Sequence, residues 1–405
     1  LRTKTMRLLK QHLAPANIFQ LWQILLFVLL VLQGCASVKI PDIQPQNGDW
    51  FKEDGPEAGY YTAHAFSGPL EVAWQYNTAS GMGPSAVMAS GGVLLAATLK
   101  GEVHAIGTER GRKIGYVPLG EGIRGIPVLA DDLMLVAGTS GRYHLTAYQY
   151  TRASVKWRKK GLKSETGLLK VGNWVCFVDA DGTVYAIDPT DGRETWKTTW
   201  LTQPKAIYGT PVLESGKILL ASASGEIGAL NAETGRVVWK KNVGEPIFAA
   251  LSVQKEKVAV STMRGRLYFL NVNNGEEIWQ YNLHNEAVRF GTAALGPDGV
   301  VFGGSDGWVR KLNITNGTLA WALKTEGACT APLFWAGAEV FAGCQDKILY
   351  RILATSGELT GRLLLKGRIK SVPILHDGRL FVSYEPNQLV AIGRPVQKSR
   401  SANPD

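Results

Sequence analysis

The chain contains 405 residues, of which 45% are hydrophobic and 19% are charged, and its formal net charge is +10. This composition is typical of a globular protein and excludes a disordered or collagen-like chain. We interpret the positive excess as spread along the sequence. Since neither a basic stripe nor a nucleic-acid-reading motif is visible, we expect no nucleic-acid partner.

The first segment predicts export. Residues 1–20 are basic and mixed, and an apolar run of twelve residues, Leu21 to Leu32, follows. Twelve residues are too few to span a bilayer, which takes about 20, but they suit the apolar core of a secretory signal. The run is followed by Leu-Gln-Gly-Cys, which resembles a bacterial lipobox, in which the cysteine is acylated and becomes the new N-terminus.

The lipobox resemblance implies lipidation at Cys35, a signal peptide over residues 1–34 and a polar, lipidated tether over residues 35–69. Alanine follows Cys35, where aspartate commonly retains lipoproteins at the inner membrane. We therefore expect an outer-membrane anchor facing the periplasm of a Gram-negative bacterium. The alternative is an ordinary cleaved signal with an incidental cysteine. Because the chain begins with leucine, translation is expected to start at Met6 or further upstream.

One sequence motif recurs from residue 70 to residue 393. Its opening glycine, or the residue in that place in two degraded copies, returns every 40–43 residues, at Gly101, Gly141, Gly182, Gly225, Gly265, Gly307, Lys347 and Asn387. A closing tryptophan gives an independent series at Trp74, Trp157, Trp196, Trp239, Trp279 and Trp321, with Gly115 and Gly361 in its two gaps. Both series indicate eight units.

Each unit predicts four short antiparallel strands. Alternating runs such as TVYAID lie between pairs such as Asp181-Gly182, which supply the positive φ of tight hairpins. No amphipathic run exceeds two turns between glycines, so helices are not expected. Four strands in about 40 residues is the pattern of a propeller blade, and we predict an all-β, eight-bladed β-propeller.

The two ends of the repeat region predict how the ring closes. The first tryptophan-containing segment, residues 70–77, has no predicted strands before it, and the last unit has three predicted strands and no tryptophan-containing segment after them. We expect the N-terminal strand to complete the last blade, because an open ring would expose two sheet edges. Residues 394–405 predict a disordered tail.

Three cysteines lie within the repeats. If residues 329–344 form a hairpin that turns at Ala336 and Gly337, Cys329 and Cys344 lie opposite each other, which makes them a candidate disulfide. Two buried thiols are the alternative. Cys176 has no partner by this count.

Motifs for catalysis and metal binding are weak. The sequence has no adjacent cysteine pair and no haem-attachment C-x-x-C-H, and its six histidines show no metal-ligand spacing. Asp179 and Asp181 suggest a calcium loop but lack its third acidic ligand, so we interpret them as a hairpin turn. Residues 120–125 match G-x-G-x-x-G, but no helix follows to bind a pyrophosphate. We predict no catalytic residue, no metal and no cofactor.

The longest linker between units, residues 198–209, contains Trp200 and Tyr208. Both residue types are enriched in interfaces, so we predict them as partner-binding residues. The alternative for Trp200 is that it caps the sheet packing.

The repeated sequence motif resembles the tryptophan-docking motif of the quinoprotein-type (PQQ-like) propeller repeats. That motif is Ala-x-Asp-x3-Gly-x3-Trp, which AIDPTDGRETW matches. In that family the tryptophan on an outer strand stacks on the turn of the next blade, which implies a blade-docking role for the six tryptophans of the series. Gly115, Ala153 and Gly361 depart from the motif, so we expect weaker seams at the first, second and seventh blades.

The propeller and lipobox together resemble the BamB family of outer-membrane assembly factors. This implies a non-enzymatic, lipid-anchored periplasmic scaffold of outer-membrane β-barrel protein assembly, which binds partners through loops and sheet edges. The implied partners are proteins of the outer-membrane assembly machinery (BamA-like) or nascent outer-membrane proteins. One alternative is a quinoprotein-like oxidoreductase using pyrroloquinoline quinone, and another is a propeller that binds an envelope polysaccharide or another periplasmic ligand.

Overall fold

The computed structural model describes residues 60–202 and 207–395. The predicted signal peptide, the lipidation site Cys35, most of the predicted tether and the tail after residue 395 lie outside these residues. All regular elements within the two ranges are β-strands. No helix there is long and apolar enough to cross a membrane.

Two strands precede the first complete blade, namely β1 (Tyr61–Thr62) and β2 (Val72–Asn77). From the inside outwards, blade one contains β3 (Val87–Ser90), β4 (Val93–Ala97), β5 (Glu102–Gly107) and β6 (Lys113–Pro118). The linker strand β7 (Glu121–Ile123) follows. Blade two then contains β8 (Val128–Ala130), β9 (Leu133–Ser140), β10 (Leu145–Gln149) and β11 (Ser154–Lys159). Blades three and four contain β12 (Leu169–Val171), β13 (Trp174–Val178), β14 (Thr183–Ile187), β15 (Glu194–Thr199), β16 (Val212–Glu214), β17 (Lys217–Ala221), β18 (Glu226–Asn231) and β19 (Val237–Asn242).

Blades five and six contain β20 (Ser252–Gln254), β21 (Lys257–Ser261), β22 (Arg266–Asn271), β23 (Glu277–Asn282), β24 (Ala294–Leu295), β25 (Gly299–Gly303), β26 (Trp308–Asn313) and β27 (Leu319–Lys324). Blades seven and eight contain β28 (Phe334–Ala336), β29 (Glu339–Gly343), β30 (Ile348–Leu353), β31 (Leu359–Leu364), β32 (Ile374–His376), β33 (Arg379–Tyr384) and β34 (Gln388–Ile392). Within each blade, successive strands pair antiparallel. The predicted all-β, eight-bladed propeller is therefore confirmed.

The last blade combines both ends of the repeat region. β2 pairs antiparallel with β34, with Trp74 opposite Ala391. The joined blade then contacts blade one, where the Val372 N–H donates to the Pro84 carbonyl at 3.1 Å. Pairing β2 with β34 removes the two open edges that an incomplete ring would present.

Six seams between blades are built from an indole ring on a glycine turn. The turn glycines have φ values of 64–75°, and a Cβ added to any of them would lie 2.4–3.2 Å from ring atoms of the preceding blade's tryptophan. These glycines are Gly111, Gly192, Gly235, Gly275, Gly317 and Gly357. Five of the six indole N–H groups donate to a carbonyl of the next blade at 2.7–3.0 Å. The ring therefore needs both the positive φ and the missing side chain of glycine.

Every outermost strand carries a β-bulge immediately before the position of the tryptophan. In blade four, for example, Trp239 lies opposite Ala229, but Val237 lies opposite Leu230, so Val238 is the extra residue. The same shift occurs in the other seven blades. Because a bulge bends a strand and redirects the following side chain, it helps to turn the ring toward the neighbouring blade.

The seam between blades one and two lacks the indole. Gly115 stands at the tryptophan position of blade one, and Ala153 stands at the turn position of blade two with φ of 56°. The two departures belong together, because a Cβ at 153 is tolerated where no ring covers the turn. The buried side chains of Val117, Tyr148 and Tyr150 share one hydrophobic cluster here.

The predicted tether is too long at its C-terminal end, because residues 60–69 pack on the propeller. β1 pairs in parallel with β28, beyond the innermost edge of blade seven. Tyr60 and Phe66 are buried, and Arg351 donates to the Phe66 carbonyl at 3.2 Å. Leu70 then comes within 2.9 Å of where a Cβ on Gly361 would lie. The segment thus covers blade seven, where glycine replaces the tryptophan.

Cys329 and Cys344 form a disulfide, with their Cα atoms 4.3 Å apart. They flank the β28–β29 hairpin, which turns at Gly337. The bond closes a loop with a sequence separation of 15 residues. Cys176 is buried and unbonded, and burial raises the pKa of its thiol to about 12, so it is a poor nucleophile at neutral pH.

We expect the double variant Cys329→Ala/Cys344→Ala to lose about 2–3 kcal/mol of unfolding free energy, because a cross-link over a loop of this length restricts the unfolded chain. Urea unfolding followed by circular dichroism measures the loss. Cys176→Ala is the matched control and should lose only about 1 kcal/mol, for the buried sulfur alone. Equal losses in the two variants would contradict a stabilising role for the disulfide.

Candidate functional site

The linkers that enter the eight innermost strands converge around the ring axis and surround one cavity of about 540 Å³. We call this opening the channel mouth. Residues from all eight blades line it, because each linker ends at the innermost strand of its blade. In blade order, the charged and exposed aromatic lining residues are Arg124, Glu165, Tyr208, Phe248, Arg289 and Lys370.

Tyr208 and Phe248 form an exposed aromatic pair at the mouth. Their ring centroids are 4.8 Å apart, and the two residues are 46% and 45% exposed. The linkers that carry them are held by hydrogen bonds between neighbouring blades. The Thr210 hydroxyl accepts from the Gly167 N–H at 2.9 Å, and the Ala250 N–H donates to the Thr292 hydroxyl at 3.0 Å. Exposed aromatics on a fixed backbone can bind a partner with little loss of conformational entropy.

The charge of the mouth is positive. Arg124 pairs with Glu165, with Nε 3.3 Å from Oε2, and Glu165 is the only carboxylate among the lining residues. Lys370 forms an ion pair with Glu385 at 2.7 Å. Glu385 lies outside the cavity and also binds Arg368. The hydrogen bond from Lys370 is the largest cause of the lowered pKa of Glu385, and Arg368 adds to it against the effect of burial. Arg289 forms no ion pair with any described residue.

Trp200 is not a surface residue, so its predicted partner-binding role is wrong. It is 1% exposed, and its ring lies 2.8 Å from where a Cβ on Gly228 would stand. Lys240 covers the ring at 5.9 Å from its centroid. Trp200 therefore caps the packing of blade four, as in the alternative interpretation, while Tyr208 of the same linker is exposed.

The weak motifs take ordinary structural roles. Asp179 accepts the N–H groups of Asp181 and Thr183 at 3.0 and 2.9 Å, which is a turn held by its own side chain. No three histidine, cysteine, aspartate or glutamate residues in residues 60–202 and 207–395 are placed to hold a metal. The G-x-G-x-x-G segment contains β7, which pairs antiparallel with β9.

Sequence reasoning did not identify Phe248, Arg289 and Lys370 as lining the same cavity as Tyr208. They are separated along the chain by one or two repeats of about 40 residues, and no local motif marks them. Their shared signal is position, since each lies just before the first strand of its blade. Aligning the eight linkers on that strand would have placed these side chains on one ring.

Comparison with known proteins gives one family. The profile of the family described as outer membrane protein assembly factor BamB matches residues 66–174 and 180–394. The outer membrane protein assembly factor BamB of Yersinia pestis is 26% identical over 236 residues, which cover 56% of this chain and 50% of that protein. The matched stretch thus spans about half the length of that curated relative.

Solved structures share the fold at low identity. BamB from Moraxella catarrhalis aligns with a TM-score of 0.66 at 18% identity, over 80% of this chain and 100% of that one. A quinohemoprotein alcohol dehydrogenase from Comamonas testosteroni aligns with a TM-score of 0.68 at 14% identity, over 87% of this chain and 82% of that one. These likenesses show the propeller alone, whereas the family profile covers most of the chain and all eight blades. The chain therefore belongs to the family of outer membrane protein assembly factor BamB.

Proposed function

We propose that this protein is a non-enzymatic scaffold of outer-membrane β-barrel protein assembly that binds partner proteins at its channel mouth. Family membership supports the process, and the exposed Tyr208–Phe248 pair on cross-bonded linkers is the observation that carries the binding site. The partners are proteins of the outer-membrane assembly machinery (BamA-like) or nascent outer-membrane proteins. The signal over residues 1–34 and the lipobox cysteine Cys35 support a lipid anchor in the outer membrane, facing the periplasm.

The channel mouth suits this role better than the sheet edges do. All eight outermost strands carry a bulge, and a bulged edge pairs poorly with an added strand. Lysines on these strands discourage pairing further, as at Lys240 and Lys241 of blade four. We therefore favour the loops over the edges as the binding surface.

The mouth does not fit the cofactor of a quinoprotein oxidoreductase. In that family, the quinone lies beneath a ring formed by two adjacent cysteines, and acidic and amide side chains bind the calcium beside it. Here Glu165 is the single lining carboxylate, and it is ion-paired with Arg124. The disulfide cysteines are 15 residues apart in sequence. The oxidoreductase alternative finds no site in the described residues that matches its chemistry.

We expect the double variant Tyr208→Ala/Phe248→Ala to reduce recovery of the assembly machinery at least about tenfold in pull-downs from detergent extracts. Aromatic side chains at interfaces commonly contribute more than 1 kcal/mol each. The matched control is Leu319→Ala/Leu364→Ala, which removes two exposed apolar side chains, 50% and 69% exposed, from outermost strands.

Two outcomes would contradict this proposal. If the control double variant loses the machinery and the aromatic variant keeps it, the outer strands bind and the channel mouth does not. If the wild-type chain brings down no assembly protein, and porin levels in a deletion strain equal those of the parent, the scaffold proposal is wrong.

A further inference from the structure

The positive charge of the chain is concentrated on blade two, and our interpretation of a spread excess is wrong. Residues 142–163 contain seven lysines and arginines and no aspartate or glutamate. Residues 1–34 contain four more cations and no acid. These eleven cations exceed the net charge of +10, so all other residues together carry −1. One segment of one blade thus supplies the excess of the propeller.

Three of these cations surround one tyrosine at the rim of blade two. The ring of Tyr143 has the guanidinium carbons of Arg142 and Arg158 at 5.5 and 5.3 Å from its centroid, and the Lys160 Nζ at 5.6 Å. The three cations are exposed and the tyrosine is half-buried. We call these four residues the blade-two cluster. It lies where β9 meets β10 and where β11 ends, on the face of the ring that carries the channel mouth.

The cluster holds like charges together, and the Glu121 carboxylate, which lies beside Gly141, forms no ion pair with them. Because each cation lies within 5.6 Å of the same centroid, no two charged centres are more than 11.2 Å apart, twice that distance. Screening at physiological ionic strength acts over about 8 Å, so repulsion persists between any two of these charges that are closer than that. None of the three forms an ion pair with any residue in the described part of the chain. An anionic surface would relieve this repulsion.

Protection of the sheet edge does not account for the cluster. The corresponding lysines of blade four are neutralised within the protein. Lys240 lies 3.7 Å from Glu226, and Lys241 lies 3.3 Å from Glu277. Counted from the tryptophan of the outermost strand, Lys240 corresponds to Arg158 of the cluster, Lys241 to Lys159, and Asn242 to Lys160. Arg158 has no ion pair among the described residues where Lys240 has one, and blade two adds a lysine where blade four has asparagine, which points to an anion from outside the chain.

We propose that the blade-two cluster binds the anionic phospholipid headgroups of the membrane to which the chain is tethered. The proposal rests on the lipid anchor of the proposed function. Arginine binds phosphate oxygens through paired hydrogen bonds, and tyrosine suits the boundary between water and lipid. The tether keeps the membrane at a high local concentration, so that several weak contacts suffice. The 24 residues between Cys35 and Tyr60 extend to roughly 80 Å, which permits this contact.

The test uses the chain from residue 36 onwards, which lacks the predicted lipidation site Cys35 and contains the whole ring within residues 60–395. It is sedimented with vesicles of phosphatidylethanolamine and phosphatidylglycerol, and separately with neutral phosphatidylcholine vesicles. We expect Arg142→Gln/Arg158→Gln/Lys160→Gln to bind the anionic vesicles on the order of 100-fold more weakly, because each basic residue near such a surface contributes about a factor of five.

The matched control is Lys197→Gln/Arg236→Gln/Lys366→Gln, which removes the same charge from exposed sites on three other blades. It should weaken binding less than about threefold, and circular dichroism should show all three proteins folded. Added salt should release the wild-type chain from the anionic vesicles, as electrostatic binding requires.

The proposal is overturned if the wild-type chain binds neutral and anionic vesicles alike, if salt has no effect, or if both triple variants lose the same affinity. It is also overturned if the cluster variant loses a machinery protein in pull-downs while its vesicle binding is unchanged, because an acidic protein then occupies the cluster. Vesicle binding needs no protein partner, so this proposal and the scaffold proposal fail in different experiments.

Discussion

Replacing Trp279 with alanine will lower the free energy of unfolding by about 3–5 kcal/mol, the usual cost of removing a large buried ring. The ring is 8% exposed, lies 4.5 Å from the ring centroid of Phe269 and donates its N–H to the Ile314 carbonyl of the next blade at 3.0 Å. The loss falls on the seam between blades five and six. Urea unfolding followed by circular dichroism measures it.

Trp308→Ala is the control for this variant. Trp308 is half-buried and carries Lys324 over its ring at 5.5 Å, but it belongs to no seam. Its removal should cost less than about 1 kcal/mol, as for most surface substitutions. If Trp279→Ala is no more destabilising than Trp308→Ala, the seams do not depend on indole docking.

Gly317→Ala should be nearly as damaging, at about 3–4 kcal/mol. Its φ of 69° disfavours any residue with a Cβ, at a cost of about 1–2 kcal/mol. The added methyl would also stand 2.6 Å from the Trp279 ring, and overpacking of this kind costs about 1–3 kcal/mol. The two causes act at the same atom, so the ring must move away from the turn.

Ala153→Gly is the reciprocal control, at the turn that no indole covers. Ala153 already has φ of 56°, so glycine there should change the stability by less than about 1 kcal/mol in either direction. Chemical denaturation compares the two substitutions directly. A Gly317→Ala variant as stable as Ala153→Gly would show that the turn does not need glycine to receive the ring.

The sequence identified the parts of the fold that local chemistry encodes. Each seam joins a tryptophan to a glycine turn in the following repeat, and both residue types are rare enough for their spacing to be visible. Gly115 and Ala153 were identified as departures in the same way. The sequence did not reveal that they meet in a single seam, because that requires the pairing of blades in space.

Burial in the linkers could not be predicted in this way. Trp200 and Tyr208 lie eight positions apart in one linker, but one is covered and the other is exposed. The difference depends on Gly228, a residue of the next blade that leaves room for one ring. Phe66 was assigned to a polar tether for a similar reason, since its burial depends on contacts with blade seven that are distant in sequence.

The pairing of β2 with β34 sets the order in which the domain can be completed. Gln75 and Gln388, which hydrogen-bond across this pair, are 313 residues apart. During synthesis the N-terminal strand emerges first and has no partner until almost the whole chain has followed. Contacts over such a separation form slowly. A chain truncated shortly before residue 388 would therefore hold seven finished blades and a permanently unpaired first strand, and quality-control proteases would meet it in that state.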